Sequence, residues 1–296
     1  MIYLHGQNIE VNQDLAITIG KFDGLHKGHI ALISELKKVA KSRNLAATVL
    51  SFSPHPMAVL KSKNYPLILS QQEKLYLLEQ LGLDYYIEFP FTHEFAQTSP
   101  ESFLEDIIFR QLCGRAMVFG ENFRFGEGGR GDMVMAKQRG DGLGLYIHSI
   151  PLISSGFTQI NSGNIRRLVS SKDFYGISQT CGRDYFLMGK VTHGKKKGRE
   201  MGFPTANIAM PPDKLLPPIG VYHTNTFVDG KGYASITNIN QGLVETHLLH
   251  FRGDLYDRII RVDFLQWMRD MRKFASFDDL AKQLEKDANS RLMLHN

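Results

Sequence analysis

Cysteine is nearly absent: Cys113 and Cys181 are the only two in 296 residues. That is too few for a disulfide framework or a cysteine-based zinc site. No apolar run approaches the ~20 residues that a membrane helix requires, so no membrane partner is expected. The opening Met1-Ile2-Tyr3-Leu4-His5-Gly6 has no charged segment leading into an apolar one. A secretory leader is therefore not expected, and a cytoplasmic location is. A large excess of one charge is missing as well. The formal net charge is +5, without the dense basic stripe and interleaved aromatics of a nucleic-acid binder. Small phosphorylated substrates suit that charge at least as well, and a monomer is expected. What the chain does have is 43% hydrophobic and 22% charged residues, enough for a sizeable core and, at this length, two domains.

Up to about residue 150, strand-like and helix-like segments alternate. Strands are predicted over 15–19, 46–52, 84–89, 116–119 and 145–150. Helices are predicted near 29–43, from the capping-box spacing Ser70-Gln71-Gln72-Glu73 to about 81, and over 100–112 behind a Ser99 cap. This alternation implies an α/β fold: a parallel sheet with helices on both faces and ligands at the carboxyl ends of its strands. A linking helix over 173–182 closes that part. Short β-branched and aromatic runs follow at 186–191, 220–227, 233–238, 244–249 and 259–264, which predicts a small antiparallel barrel. Ser276 caps a terminal amphipathic helix carrying Leu280, Leu284 and Ala288. The expected domains are 1–182 and 183–296.

The stretch Gly20-Lys21-Phe22-Asp23-Gly24-Leu25-His26-Lys27-Gly28-His29 lies between the first strand and the first helix. First-turn N–H groups there point outward as an anion site. Gly24 and Gly28 lack Cβ atoms that would keep a ligand off the backbone. His26 and His29, three apart, share a face if the turn is helical. Together they make a phosphate cradle; the bland alternative is a tight turn with two surface histidines.

This stretch resembles the His-x-Gly-His signature of nucleotidyltransferases, and more closely the bacterial riboflavin kinase/FAD synthetase family, whose Gly-x-Phe-Asp-Gly-x-His-x-Gly-His is complete here. The resemblance implies a Rossmann-like nucleotidyltransferase domain that binds ATP and FMN through Gly20, Phe22, Asp23, Gly24 and Gly28, with His26 and His29 catalytic. Further matches follow along the chain. In Phe52-Ser53-Pro54-His55-Pro56, His55 either contacts ligand or is a hydrogen-bonded residue of a rigid loop. Gly120-Glu121-Asn122-Phe123-Arg124-Phe125-Gly126 matches a nucleotide- and flavin-binding segment, which assigns Asn122, Phe123 and Phe125; without the resemblance the two phenylalanines read as core. In Ile160-Asn161-Ser162-Gly163-Asn164-Ile165-Arg166, the family's second signature is met at Ser162, which is placed to cap a helix, and at Arg166. Asn161 and Gly163 replace a Ser and a Thr of that signature.

In the second half, Pro204-Thr205-Ala206-Asn207 resembles the riboflavin kinase signature. Thr205 and Asn207 fall on one face of an extended segment and suit a hydrated Mg²⁺ on ATP phosphates. Lys195 and Gly198, in the basic turn before it, are implied nucleotide contacts, and Glu245 the base that takes a ribityl proton. Departures cluster at the flavin end. Only six residues separate Asn238 from Glu245, where relatives carry a longer loop. Leu255-Tyr256-Asp257 replaces Leu-Tyr-Gly, and Arg269-Asp270-Met271 replaces Arg-x-Glu. The implied function is FAD synthesis from FMN and ATP, with riboflavin kinase activity absent or much weaker. A fully bifunctional enzyme, another adenylyltransferase and a flavin-sensing protein without turnover are the alternatives.

Overall fold

The computed structural model describes residues 1–61, 65–151, 154–155, 158–193 and 203–294. The chain divides into two compact units, Met1–Pro66 with Lys74–Asn161, and Leu67–Glu73 with Ser162–Asn296. In chain order the elements before residue 161 are β1 Ile2–His5, β2 Leu15–Ile19, α1 Lys27–Arg43, β3 Ala46–Ser53, α2 Pro56–Leu60, α3 Gln71–Gln80, β4 Tyr85–Pro90, α4 His93–Ala96, α5 Pro100–Ser102, β5 Gly114–Gly120, α6 Met133–Leu143, β6 Tyr146–Ile150 and the short pair β7 Ser154–Ser155 and β8 Thr158–Gln159. No helix among the described residues is long and apolar enough to cross a membrane.

The first unit is a six-stranded parallel sheet in the order β1-β4-β3-β2-β5-β6. All five residues of β2 are buried, as a parallel strand covered on both faces requires. Against β2, β3 and β5 packs α1, which buries Leu32, Ile33, Leu36, Val39 and Ala40. That i, i+1, i+4, i+7, i+8 spacing is one helical stripe, worth about 1.5–3 kcal/mol for each large apolar side chain buried. Asn44 ends α1 in the left-handed conformation, its N–H on the Ala40 and Lys41 carbonyls. The alternation predicted five of the six strands. The sixth, β1, is an edge strand of four residues held partly by the Tyr3 hydroxyl on Glu88 Oε2 at 2.9 Å. Beyond α5 the chain continues over Phe103–Gln111 in π-helical winding, where an α-helix is predicted. The Leu112 N–H reaches the Ile107 carbonyl, five residues back, at 2.9 Å. The wider turn keeps Phe103, Leu104 and Ile108 in the core.

The second unit contains α7 Ser162–Ser170, α8 Phe174–Cys181, β9 Tyr185–Thr192, β10 Ala206–Ile208, β11 Gly220–Val228, β12 Lys231–Asn240, β13 Leu243–Leu248, β14 Ile259–Arg269 and α9 Phe277–Met293. Its strands close into a barrel in the order β10-β13-β12-β11-β14-β9, five of them predicted. The addition is the three-residue β10. Tyr222, Ile239, Val244, Val262 and Phe264 fill the interior. Beside them sit five buried hydroxyls, of Thr224, Thr226, Ser235, Thr237 and Thr246, linked at 2.7–3.2 Å into one network. Ile165, Leu168, Val169, Phe174 and Ile177 of α7 and α8 belong to the same core. Composition changes near residue 182, whereas packing places α7 and α8 with the barrel, because their apolar stripes are buried there.

Two buried ionic groups fasten this unit. Lys214 Nζ meets Glu73 Oε2 at 2.6 Å, with both side chains fully buried. Glu73 also completes the predicted capping box, taking the Ser70 N–H at 2.8 Å, and its other oxygen accepts the Met188 N–H at 2.8 Å. At the other end, Arg269 pairs with Asp287 of α9 at 2.6 Å, and the buried Arg291 donates through Nε to the Thr224 carbonyl at 2.9 Å. The Ser276 hydroxyl caps α9 by accepting the Asp279 N–H at 3.1 Å.

Candidate active site

Chain order in the sheet reverses at β2, which has β3 on one side and β5 on the other. A crevice opens outside the carboxyl ends of strands at such a point, and residues 20–26 emerge there. The loop is tied to its neighbours: the Gly20 N–H donates to the Leu50 carbonyl at 3.1 Å and the Ser51 hydroxyl to the Lys21 carbonyl at 3.3 Å. Phe22 (φ 47°) and Leu25 (φ 40°) are both left-handed, a conformation costing a bulky residue about 1–3 kcal/mol. Their side chains are fully buried, and that burial offsets the strain. With Asp23 also buried, the loop is held in a single course. Nothing in the residue types at 22 and 25 signals this bend.

His26 is extended and caps α1, its Nδ1 accepting the His29 N–H at 3.3 Å. Because Nδ1 accepts, the proton of a neutral His26 ring is assigned to Nε2. The His26 and His29 rings stack with centroids 3.8 Å apart, and Phe22 lies against His29 at 4.8 Å. The structure thus brings the two imidazoles together at a helix N-terminus, where N–H groups and dipole favour an anion. It revises the reading of Gly28. A Cβ there would stand 3.1 Å from His26 Nδ1, so the missing side chain makes room for the imidazole itself. Gly20 is similar, a Cβ lying 3.1 Å from the Phe22 ring.

The neighbouring strands β3 and β5 lead, at their carboxyl ends, into His55 and into Asn122 and Phe123. After β3, His55 caps α2, its Nδ1 accepting the Met57 N–H at 3.1 Å, and its ring stacks on Tyr65 at 4.4 Å. After β5, Asn122 is exposed and Phe123 half-buried. Phe125 is not separable from core on its residue pattern. It is buried in the sheet's core, against Phe103 at 5.9 Å, and a Cβ on Gly131 would strike its ring at 2.6 Å. In the second unit, α7 begins at Ser162, so Asn161 takes the cap position predicted for Ser162. Arg166 Nη1 donates to the Ser162 carbonyl at 3.3 Å.

The barrel carries a separate site. Ala206, Ile208, Val244 and Thr246 are buried inward, so by alternation Asn207 and Glu245 face outward. They are direct partners across β10 and β13. Both line a cavity of about 950 Å³ with Thr205, Phe203, Leu280 and Leu284. The oxygens of Thr205 and Asn207 are neutral and hard, donors that fit a hydrated Mg²⁺ held mainly by phosphates. Among the described residues no group of three His, Cys, Asp or Glu forms a metal cluster. Lys195 and Gly198 lie outside the described residues. The connection from β12 to β13 is as short as the sequence indicates, a two-residue turn with Gln241 at φ 44° and Gly242 at φ 82°, the twist-matched hairpin geometry. Asp257 is exposed and pairs with Lys190 at 2.8 Å, which holds its carboxyl below the usual carboxylate range through the lysine hydrogen bond and charge.

Residues 8–164 match the family model for FAD synthetase, and residues 181–293 that for riboflavin kinase. A bifunctional riboflavin kinase/FMN adenylyltransferase of Escherichia coli (strain K12) is 32% identical over 96% of this chain and 94% of its own. One of the same description from Bacillus subtilis (strain 168) is 31% identical over 92% and 89%. A crystal structure of a Streptococcus pneumoniae chain described as a macrolide-efflux protein superposes with TM-score 0.83 over 98% of each chain, at 24% identity. That likeness bears on the fold alone. With both family models matched in order and relatives aligned over nearly their full length, the chain belongs to the bifunctional riboflavin kinase/FMN adenylyltransferase family.

Proposed function

We propose that this protein transfers AMP from ATP to FMN, giving FAD and pyrophosphate, and that its barrel phosphorylates riboflavin at a much lower rate. The observation carrying the first part is the stacked His26–His29 pair at the N-terminus of α1, at the sheet's switch point. An oxygen of the FMN phosphate attacks the α-phosphorus of ATP in line, and the bond to the bridging oxygen of pyrophosphate breaks. Such a step needs positioning and charge neutralisation more than covalent help. His26 Nε2, the His29 ring and the first-turn N–H groups offer donors to the phosphates, whose remaining charge a Mg²⁺ bound with ATP would offset. Gly24, Asn122 and Phe123 border the nucleotide, with His55 on the same rim. The roles of Ser162 and Arg166 rest on the sequence resemblance alone.

In the barrel, Glu245 takes the proton from the ribityl hydroxyl as it attacks the γ-phosphorus of ATP, and ADP leaves. Thr205 and Asn207 would hold Mg²⁺, with Lys195 and Gly198 contacting the nucleotide on the resemblance. The two-residue turn between β12 and β13 supports the slow rate, because it removes chain that would organise the flavin.

Chromatography of the purified protein with ATP, Mg²⁺ and either FMN or riboflavin tests both parts. FAD is expected from FMN, and product from riboflavin at least ~10-fold more slowly, in line with a misplaced acceptor. No FAD from FMN overturns the first part; equal rates overturn the second. Tight flavin binding without product from either substrate identifies the sensing alternative.

A further inference from the structure

Five barrel residues stand abreast. Strand pairing sets Asn207 opposite Glu245, Glu245 opposite Asn238, Asn238 opposite Val221 and Val221 opposite Arg269. All five line the cavity, about 4.8 Å apart from strand to strand. The row has a direction. Asn207 at one end belongs with the signature that faces Mg-ATP, and Glu245 is its neighbour. The acceptor must therefore approach from the other side of Glu245, where Asn238 stands. Arg269 at the far end is engaged by Asp287 at 2.6 Å.

Asn238 is out of place on packing grounds. Asparagine is disfavoured inside a strand, and this one carries an amide oxygen shielded from water that accepts no hydrogen bond. A buried acceptor in that state costs about 1–3 kcal/mol. Beyond it the wall carries apolar surface from Val221 on β11 and Leu280 and Leu284 of α9, beside the mutually paired Arg269 and Asp287. A ligand that follows the row is thus read as phosphate donor, reacting hydroxyl, further polar chain and then apolar body.

We infer that Asn238 is a substrate-orienting residue of the kinase site, its amide hydrogen-bonding a hydroxyl of the acceptor's polyol chain so that the terminal hydroxyl meets Glu245. This rests on the kinase reading above. It assigns polyol selectivity to the barrel strand beside the base, which the shortened β12–β13 turn leaves in place.

The test compares wild type, Asn238→Leu (similar shape, no hydrogen bond) and Asn238→Asp in the full chain. Riboflavin affinity is read by fluorescence quenching, riboflavin phosphorylation is followed over long incubations, and FAD formation from FMN serves as internal control. Asn238→Leu is expected to weaken riboflavin binding and raise its KM about tenfold, the worth of one hydrogen bond. Its KM for ATP and its FAD formation from FMN stay at wild-type values. Asn238→Asp keeps an acceptor and restores most of the affinity, but places a second carboxylate one strand from Glu245. Rescue of riboflavin binding by an acceptor that leucine lacks, with the KM for ATP unmoved, is a change that mere packing would not cause. A wild-type riboflavin KM in both variants overturns the inference while the kinase reading stands. An equal loss for ATP and riboflavin overturns it too, as a collapse of the site. A wild-type protein that neither binds nor phosphorylates riboflavin overturns the kinase reading, and the inference with it.

Discussion

That His26 and His29 share one helix N-terminus was legible, because glycine and histidine at that spacing follow a strand and open a helix. The backbone that holds them was not. Phe22 and Leu25 bend left-handed because burying their side chains outweighs the strain, and burial depends on residues far away in sequence. Three outcomes are expected at this scale. His29→Ala, with unchanged thermal unfolding, should lose at least ~3 kcal/mol of transition-state stabilisation for FAD formation, on the order of a hundredfold in rate; wild-type turnover would remove His29 from the site. Gly28→Ala should also slow FAD formation, by about tenfold, since the new methyl would stand 3.1 Å from His26 Nδ1 and displace the ring by a few tenths of an ångström. A third concerns His223, which is buried on β11 with Ile236 and Gln266 as strand neighbours. Burial and the Arg291 charge lower its pKa below the ordinary 6.5, with Asp287 opposing. Between the lowered value and 6.5 the unfolded chain binds a proton that the folded one refuses, so stability falls as pH drops through that window. His223→Asn should flatten this dependence, read as unfolding temperature at about pH 7.5 against about pH 5.5.

Among elements, those with strong periodicity were readable and those defined by pairing were not. β10 is three residues long and β1 four, too short to show alternation; each exists because a neighbouring strand offers an open edge. The π-helical winding of Phe103–Gln111 is not distinguishable from α in the sequence, because nine residues of apolar pattern fit either period. The capping box at Ser70 and Glu73 was readable, whereas the partner of Glu73 was not, since Lys214 lies 141 residues away. Lys214→Met should cost about 3–5 kcal/mol, because it leaves a buried carboxylate unpaired, and adding Glu73→Gln should recover most of it. Urea unfolding of the two variants against wild type checks both. No loss of stability in Lys214→Met would mean that the pair is not buried in solution.

At the scale of the molecule, the order of a parallel sheet and then a barrel was legible from the rhythm of the chain. Where α7 and α8 pack was not, because an apolar stripe at 165, 168 and 169 does not name the surface it will cover. A fragment of residues 1–182 should form FAD by itself, yet it leaves Ile165, Leu168, Val169, Phe174 and Ile177 without the barrel core that buries them here. It should therefore bind an apolar dye strongly and aggregate at concentrations the whole chain tolerates; a well-behaved fragment with no FAD formation would show that synthesis needs the barrel. The five linked hydroxyls inside the barrel carry one more consequence, for temperature. Exposing polar surface on unfolding lowers the heat-capacity change that apolar surface raises. An interior part-filled with threonine and serine therefore gives the barrel a shallow stability curve, losing less on cooling or warming than an all-aliphatic barrel of the same size.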